Sequence, residues 1–167
     1  HTIGEAVILE VQRDGKRYPV TIETAASKTQ SGVPVIGVTF GIGFVYAPKV
    51  SINVDPTIGG PSAGLMFALT VYEIVSADDL TAGRVIAGTG DIDGLGEVHP
   101  VGGAHEKLAA ARRDGANIFL VPAENCADLG AIPSDVRVVP VASINEAVTS
   151  LEALRNPADA EKVKVCP

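Results

Sequence analysis

The run Asp55-Pro56-Thr57-Ile58-Gly59-Gly60-Pro61-Ser62-Ala63-Gly64 leads straight into Leu65-Met66-Phe67-Ala68-Leu69. It therefore sets one hydroxyl between glycines at the mouth of an apolar segment. Gly60 suits a helix N-cap and Pro61 the first helical position, which puts Ser62 in the first turn. The spacing predicts a helix from Pro61 to about Ser76, apolar almost all round and so expected inside the fold. Amides of a first turn have no acceptor within the helix and carry the positive end of its dipole. A serine beside such donors has the geometry for attack on a carbonyl followed by capture of the oxyanion. A capped helix start with a structural serine reads equally well from these residues alone. The nucleophilic reading requires a base.

The candidate base lies in Gly102-Gly103-Ala104-His105-Glu106-Lys107-Leu108-Ala109-Ala110-Ala111-Arg112-Arg113. Two glycines open this helix and Asp114-Gly115 closes it. Ala104, Lys107, Leu108 and Ala111 stand at i, i+3, i+4 and i+7 and share one face. Lys107 is thus the one charge on the stripe expected to pack inward, while Glu106 and Arg113 project away. Burying an ammonium lowers its pKa, and a lysine brought toward roughly 7–8 can accept a serine proton. Any single lysine can instead snorkel its stem along the surface. Ser62 and Lys107 together favour the catalytic reading.

With both residues in place, the stretch from Asp55 to about Leu129 resembles the proteolytic domain of Lon-type proteases, which cut peptide bonds with a serine–lysine dyad. Gly60-Pro61-Ser62-Ala63-Gly64 is similar to that family's nucleophile box. Thr89-Gly90-Asp91 with Gly96-Glu97-Val98-His99-Pro100-Val101-Gly102-Gly103 resembles its next segment. Glu106-Lys107-Leu108-Ala109-Ala110-Ala111 resembles the stretch with the catalytic lysine, and Phe119-Leu120-Val121-Pro122-Ala123-Glu124-Asn125 the motif after it. The resemblance implies Ser62 as nucleophile and Lys107 as general base. It also implies Thr89 as an aid to orienting the lysine amine, and backbone groups around Gly60 and Ala63 for the oxyanion. Two positions depart from the pattern: Gly59 stands where the family carries an acidic residue, and His105 where its ATP-dependent members often carry lysine. Neither is part of the dyad; both bear on substrate handling.

Composition narrows the alternatives. A chain of 167 residues, 46% hydrophobic, holds one good core. Aromatics are scarce and Trp is absent, so that core is built of Val, Ile, Leu and Ala. A net charge of −7 without clustered Lys and Arg excludes a nucleic-acid surface. No apolar run approaches ~20 residues. The chain starts at His1 in mid-pattern and reads as an excised piece. No G-x-x-x-x-G-K-[ST] run occurs, so peptide cleavage without ATP is expected. The glycines around Asp93-Gly94 do not form a dinucleotide fingerprint and read as a hairpin turn.

Residues 1–26 contain strand, Asp14-Gly15 turn and strand, and resemble the closing hairpin of a PDZ domain. A polar linker spans 27–34. Residues 35–155 are expected to form the Lon-like proteolytic domain, and 156–167 a tail. Strands are expected over Pro34–Phe40, Lys49–Val54, Arg84–Asp91, Asn117–Val121 and Arg137–Val141. Ser143-Ile144-Asn145-Glu146 is a capping box opening a last helix to about Arg155. The order of elements predicts an α/β (α+β) domain with a mixed β-sheet and packed helices. Lon-like proteases without an ATPase carry a PDZ module and an N-terminal membrane anchor. The resemblance thus implies an anchored parent with its catalytic part on the extracytoplasmic side, this fragment being soluble itself. It also implies protein or peptide substrates, a hexameric ring, and membrane contact only through parts preceding His1.

In an exported parent, Cys126 and Cys166 would pair and tie the tail to Glu124–Leu129; in the cytosol they would be two unrelated thiols. Neither cysteine, nor His1, His99 or His105, stands in a metal-type spacing, so no metal or cofactor is expected. Two other readings remain open on the sequence. Gly60–Gly64 also fits the G-x-S-x-G elbow of an α/β-hydrolase with His99 or His105 as base, although the domain is small and Pro61 adjoins the serine. A catalytically latent protease-like domain serving as a binding or assembly module is the other.

Overall fold

The computed structural model describes residues 1–39, 41, 49–53, 60–76 and 79–167. Contacts divide the chain into two units, His1–Val45 and Tyr46–Pro167.

In the first unit, β1 (Ala6–Arg13) and β2 (Lys16–Glu23) pair antiparallel in an unbroken register from Ala6 opposite Glu23 to Arg13 opposite Lys16. Asp14 and Gly15 both take positive φ, 52° and 75°, as a two-residue turn needs to match the twist of the strands. Val7 faces Ile22, Leu9 faces Val20 and Val11 faces Tyr18, so the half-buried side chains share one face. β3 (Ala25–Ala26) pairs with β4 (Pro34–Val35), and Ser27 closes the loop between them by accepting the Thr29 and Gln30 amides. The strand expected over Pro34–Phe40 is therefore confined to Pro34–Val35; Phe40 lies outside the described residues. Of Lys49–Val54, residues 49–53 form no strand, and Val54 lies outside the description, as do Asp55–Gly59 of the opening run.

The second unit is α/β. Its sheet orders β5 (Ile86–Gly88), β8 (Ile118–Pro122) and β9 (Arg137–Val141), all parallel, with β8 central. The antiparallel pair β6 (Asp91–Ile92) and β7 (Val98–His99) stands apart, so parallel and antiparallel pairing occupy separate sheets. All five residues of β8 are buried, as its unbroken apolar run requires of a strand covered on both faces. Alternation splits them: Ile118 and Leu120 join one core with Leu65, Leu69, Val139, Val141 and Leu151, while Phe119 and Val121 join a second with Ala104, Leu108, Leu129 and Val138. Helices α1 (Gly64–Val75) and α3 (Ile144–Ala153) supply the first core, α2 (Ala104–Arg113) the second.

Local signals explain the boundaries. Gly60 is the N-cap and Pro61 the first residue of a 3-10 turn, Pro61–Ala63, that runs into α1. Ser143 accepts the Glu146 amide at 3.2 Å while the Glu146 carboxylate accepts the Ala142 amide at 2.8 Å, one residue before the cap itself. The chain leaves α2 through Gly115, whose φ of 88° suits the left-handed exit.

Three further expectations need correction. The strand expected over Arg84–Asp91 is broken after Gly88, because Gly90 turns toward the mouth of α1 and donates to the Ser62 carbonyl. α1 is apolar almost all round but fully buries only Leu65 and Leu69, with Met66 and Tyr72 partly buried beside them; Ile74, on the side away from this core, is 76% exposed. The segment after Asn156 packs instead of trailing. Asn156 caps α4 (Pro157–Ala160), Val163 and Cys166 are buried, and Arg137 donates to the Ala160 and Val163 carbonyls. A disulfide joins Cys166 to Cys126, 40 residues earlier, with the Cα atoms 5.4 Å apart.

In the β6–β7 turn, Asp93 accepts the Leu95 amide at 2.8 Å and the Glu97 amide at 3.1 Å, and meets the His99 ring at 3.2 Å. These bonds, the Leu95 amide foremost, hold its carboxyl below the usual value. A depressed carboxyl supports the fold above its unfolded value of about 4 and loses that support as pH falls through the lower folded value. Acidification below pH ~4 should thus lower the protection factors (intrinsic over observed exchange rate) of the Leu95 and Glu97 amides, with no change between pH 6 and 8. A pH series of hydrogen exchange, corrected for the intrinsic rates, checks this, and unchanged protection factors at low pH refute it.

Gly90 offers a packing test. A Cβ there would lie 2.9 Å from Val98 Cγ1 and 3.2 Å from Leu65 Cβ, closer than side chains tolerate. Gly90→Ala should cost about 1–3 kcal/mol in chemical denaturation. Cys166→Ser should cost on the order of 3–4 kcal/mol by releasing the closed loop in the unfolded chain.

Candidate active site

Ser62 sits in the 3-10 turn that opens α1, and its backbone is fixed from two sides. Its carbonyl accepts the Gly90 amide at 2.8 Å and the Thr89 hydroxyl at 2.9 Å. The Leu65 amide returns a bond to the Gly90 carbonyl at 3.1 Å, and the Thr89 amide donates to Leu120 of the central strand at 2.9 Å. Thr89 is only 2% exposed, so its hydroxyl had to find an acceptor. The mouth of α1 is thereby laced to the end of β5 and, through it, to the middle of the sheet. Gly64 allows the approach, since a Cβ there would stand 3.0 Å from Ile92 Cγ2.

Lys107 comes from the first half of α2. Ala104, Leu108 and Ala111 of the stripe are buried as their spacing predicts. Lys107 itself lies at the edge of that face, half-buried rather than enclosed. The reason is positional: the i+3 member of the stripe sits at its margin, where a long stem covers apolar surface and its head stays near solvent. Its amine donates to the carbonyl of Gly102 at 2.9 Å.

Among the described residues, no hydrogen bond joins Ser62 Oγ to Lys107 Nζ, and none joins Thr89 to Lys107. Thr89 thus holds the backbone of the serine, in place of the expected orienting contact to the amine. Gly60, at φ 89° and ψ 163°, and Ala63 bracket Ser62 in the same turn. The histidines are engaged elsewhere: His99 with Asp93, and His105 Nδ1 with the Leu129 carbonyl at 2.6 Å. Among the described residues, no group of three or more His, Cys, Asp or Glu side chains is placed to hold a metal ion. No described helix is long and apolar enough to cross a membrane.

One participant escapes sequence reasoning. Asn125, 3% exposed in the 3-10 helix Ala123–Asp128, accepts the Val101 amide at 2.9 Å and donates to the Val101 carbonyl at 3.1 Å. The sequence marks it only as the last residue of a family-like motif. The one further signal is a polar residue shortly after a fully apolar strand.

Residues 44–153 match the family model of the Lon protease (S16) C-terminal proteolytic domain. The Lon protease of Azorhizobium caulinodans is 36% identical over 171 residues, covering 92% of this chain and 20% of that protein. The Lon protease of Rhizobium meliloti is 34% identical over 162 residues, covering 87% and 20%. That of Neorickettsia sennetsu is 37% identical over 109 residues, covering 63% and 12%. The chain thus spans about a fifth of the length of the first two relatives. With the glycine-flanked serine, the lysine helix and the α/β sheet lying within the matched stretch, the chain belongs to the Lon protease (S16) C-terminal proteolytic domain family.

Proposed function

We propose that this chain hydrolyses peptide bonds of protein or peptide substrates with Ser62 as nucleophile and Lys107 as general base, without ATP. The observation that carries the reading is the double anchoring of the Ser62 carbonyl by Thr89 and Gly90, which fixes the serine at the mouth of α1. The hydroxyl then needs only a base, and Lys107 is the amine that the edge of the α2 face supplies.

In the proposed reaction the neutral Lys107 amine keeps an N–H on the Gly102 carbonyl, while its lone pair takes the Ser62 proton as Oγ bonds to the substrate carbonyl carbon. Backbone amides around Gly60 and Ala63 hold the resulting oxyanion. The lysine ammonium passes its proton to the departing amine as the C–N bond breaks, leaving an acyl-serine. Water, deprotonated by the same amine, cleaves that ester and returns the proton to Ser62. Thr89 acts through the Ser62 backbone as a positioning residue. ATP independence is supported by the sequence, which contains no G-x-x-x-x-G-K-[ST] run.

The reading extends to the surroundings of the domain. The β1–β2 hairpin is read as the closing piece of a PDZ-like module, on the likeness of Val11–Lys16 and Val20–Ile22 to such a hairpin. An anchored, extracytoplasmic parent accords with the Cys126–Cys166 disulfide, which oxidising compartments favour. Ring assembly rests on family likeness alone.

Cleavage of fluorescein-labelled casein by the purified chain tests the centre of this proposal. Ser62→Ala and Lys107→Ala should each lower turnover by a factor of about 10³ or more. His105→Ala should stay within a few-fold, and added Mg–ATP should leave the rate unchanged. Retained turnover in Lys107→Ala refutes the dyad. Turnover lost only in His105→Ala returns the histidine-based hydrolase, and turnover seen only with ATP refutes independence.

A further inference from the structure

Among the described residues, Asn125 is the one asparagine that is buried, and its side-chain amide makes three hydrogen bonds. Oδ1 accepts the Val101 amide at 2.9 Å, and Nδ2 donates to the Val101 carbonyl at 3.1 Å and to Asp128 Oδ2 at 2.7 Å. The opposite amide orientation would set N–H against N–H and oxygen against oxygen, so the network defines it. One side chain therefore satisfies both polar groups of a single backbone residue, as a neighbouring strand would.

The two residues after Val101 give that clamp its meaning. Gly102 and Gly103 have no side chains to hold them, and Gly103 takes φ 69° at the N-cap of α2. The Gly102 carbonyl is the acceptor of the Lys107 amine. On the far side of the two glycines, His105 is tied to the Leu129 carbonyl, at the end of the 3-10 helix that carries Asn125. That helix is itself stapled through Cys126 to Cys166, whose amide bonds to Val138 of β9. The two glycines beside the lysine are thus flanked on both sides by contacts to one element, the 3-10 helix and its C-terminal residue.

We propose that Asn125 is a positioning residue of the serine–lysine site: by holding both polar groups of Val101 it fixes the Gly102 carbonyl, which sets where the Lys107 amine rests. This rests on Lys107 being the general base. A side chain that only filled the core would be replaceable by an apolar one. Asn125 instead offers donor and acceptor at the spacing of one peptide unit, which neither aspartate nor leucine reproduces. Its loss frees the amine's acceptor without touching the serine or the substrate, so turnover falls and substrate binding does not.

The test uses the full chain and a quenched fluorogenic peptide that it cleaves, with hydrogen exchange resolved by residue. Asn125→Asp keeps the acceptor but removes both donor contacts. It should lower kcat about 10- to 100-fold with KM within about twofold, and speed exchange at Val101 while β8 stays protected. Asp128→Ala, at an exposed position, removes only the outer support and should lower kcat about two- to fivefold in the same pattern. The inference is overturned by an unchanged kcat in Asn125→Asp. It is equally overturned where kcat falls together with loss of protection throughout β8, since that is general loosening. If Asn125→Asp does not fold, an unchanged kcat in Asp128→Ala overturns it and the predicted fall supports it. Ser62→Ala and Lys107→Ala run alongside. Inactive dyad variants with fully active Asn125 and Asp128 variants refute the clamp alone, whereas active dyad variants refute the serine–lysine reading beneath it.

Discussion

The carbonyl of Ser62 carries the structure's decisive constraint, because two donors from different chemistries, the Gly90 amide and the Thr89 hydroxyl, converge on it. A single bond to a helix mouth fixes little. Two bonds, with the return bond from Leu65 to Gly90, fix the axis and rotation of α1 against the sheet. The arrangement demands bare backbone at the crossing, and Gly64 and Gly90 supply it. A polar cluster shielded from water in this way is stabilising only when every member is satisfied, so it also specifies a single alignment.

Much of this was legible in the residues themselves. Gly60-Pro61 stated where the turn begins, the spacing of Ala104, Leu108 and Ala111 stated which side of α2 is buried, and Ser143 with Glu146 stated where α3 starts. Each is a local signal, acting within one or two turns of chain. Strand extents were less readable. Val85 and Thr89 continue the apolar and β-branched pattern of β5, yet the strand ends at Gly88, because the Gly90 amide is drawn to an acceptor lying 28 residues before it in the sequence. Beyond the Cys126–Cys166 tie, the packing of the terminus was less readable: Lys162 and Lys164 make it look solvated, while Val163 and Cys166 between and beyond them are buried.

The candidate site shows the same division. Residue types and order singled out Ser62 and Lys107 as candidates, since the proposed chemistry needs a hydroxyl and an amine. Their partners were not readable, because partners are set by three-dimensional approach. Thr89 meets the backbone of the serine, and Lys107 meets a glycine carbonyl that no periodicity marks. Stripe membership gave the side of α2 on which Lys107 lies, and overstated its depth. Position i+3 lies at the margin of an i, i+4, i+7 face, and four flexible methylenes let the head leave a margin that a leucine would stay in.

That resting place bears on how the proposed reaction starts. A hydrogen bond from an amine to a backbone carbonyl contributes about 0.5–1.5 kcal/mol net, or about 1.5–3 if the amine is charged. Releasing it costs at most a few kilocalories, and exposed side chains change rotamer within nanoseconds. The Gly102 carbonyl therefore guides the amine without trapping it, since that bond is shallow beside the barriers of peptide hydrolysis and the nitrogen's lone pair stays free for the serine proton. A substrate that excludes water from the site removes competing partners for the amine and strengthens its attraction to the serine hydroxyl. On this argument the resting site and the proposed dyad draw on one anchored backbone. The backbone that both share is held by Thr89 and Gly90 on the serine side and by Asn125 on the lysine side.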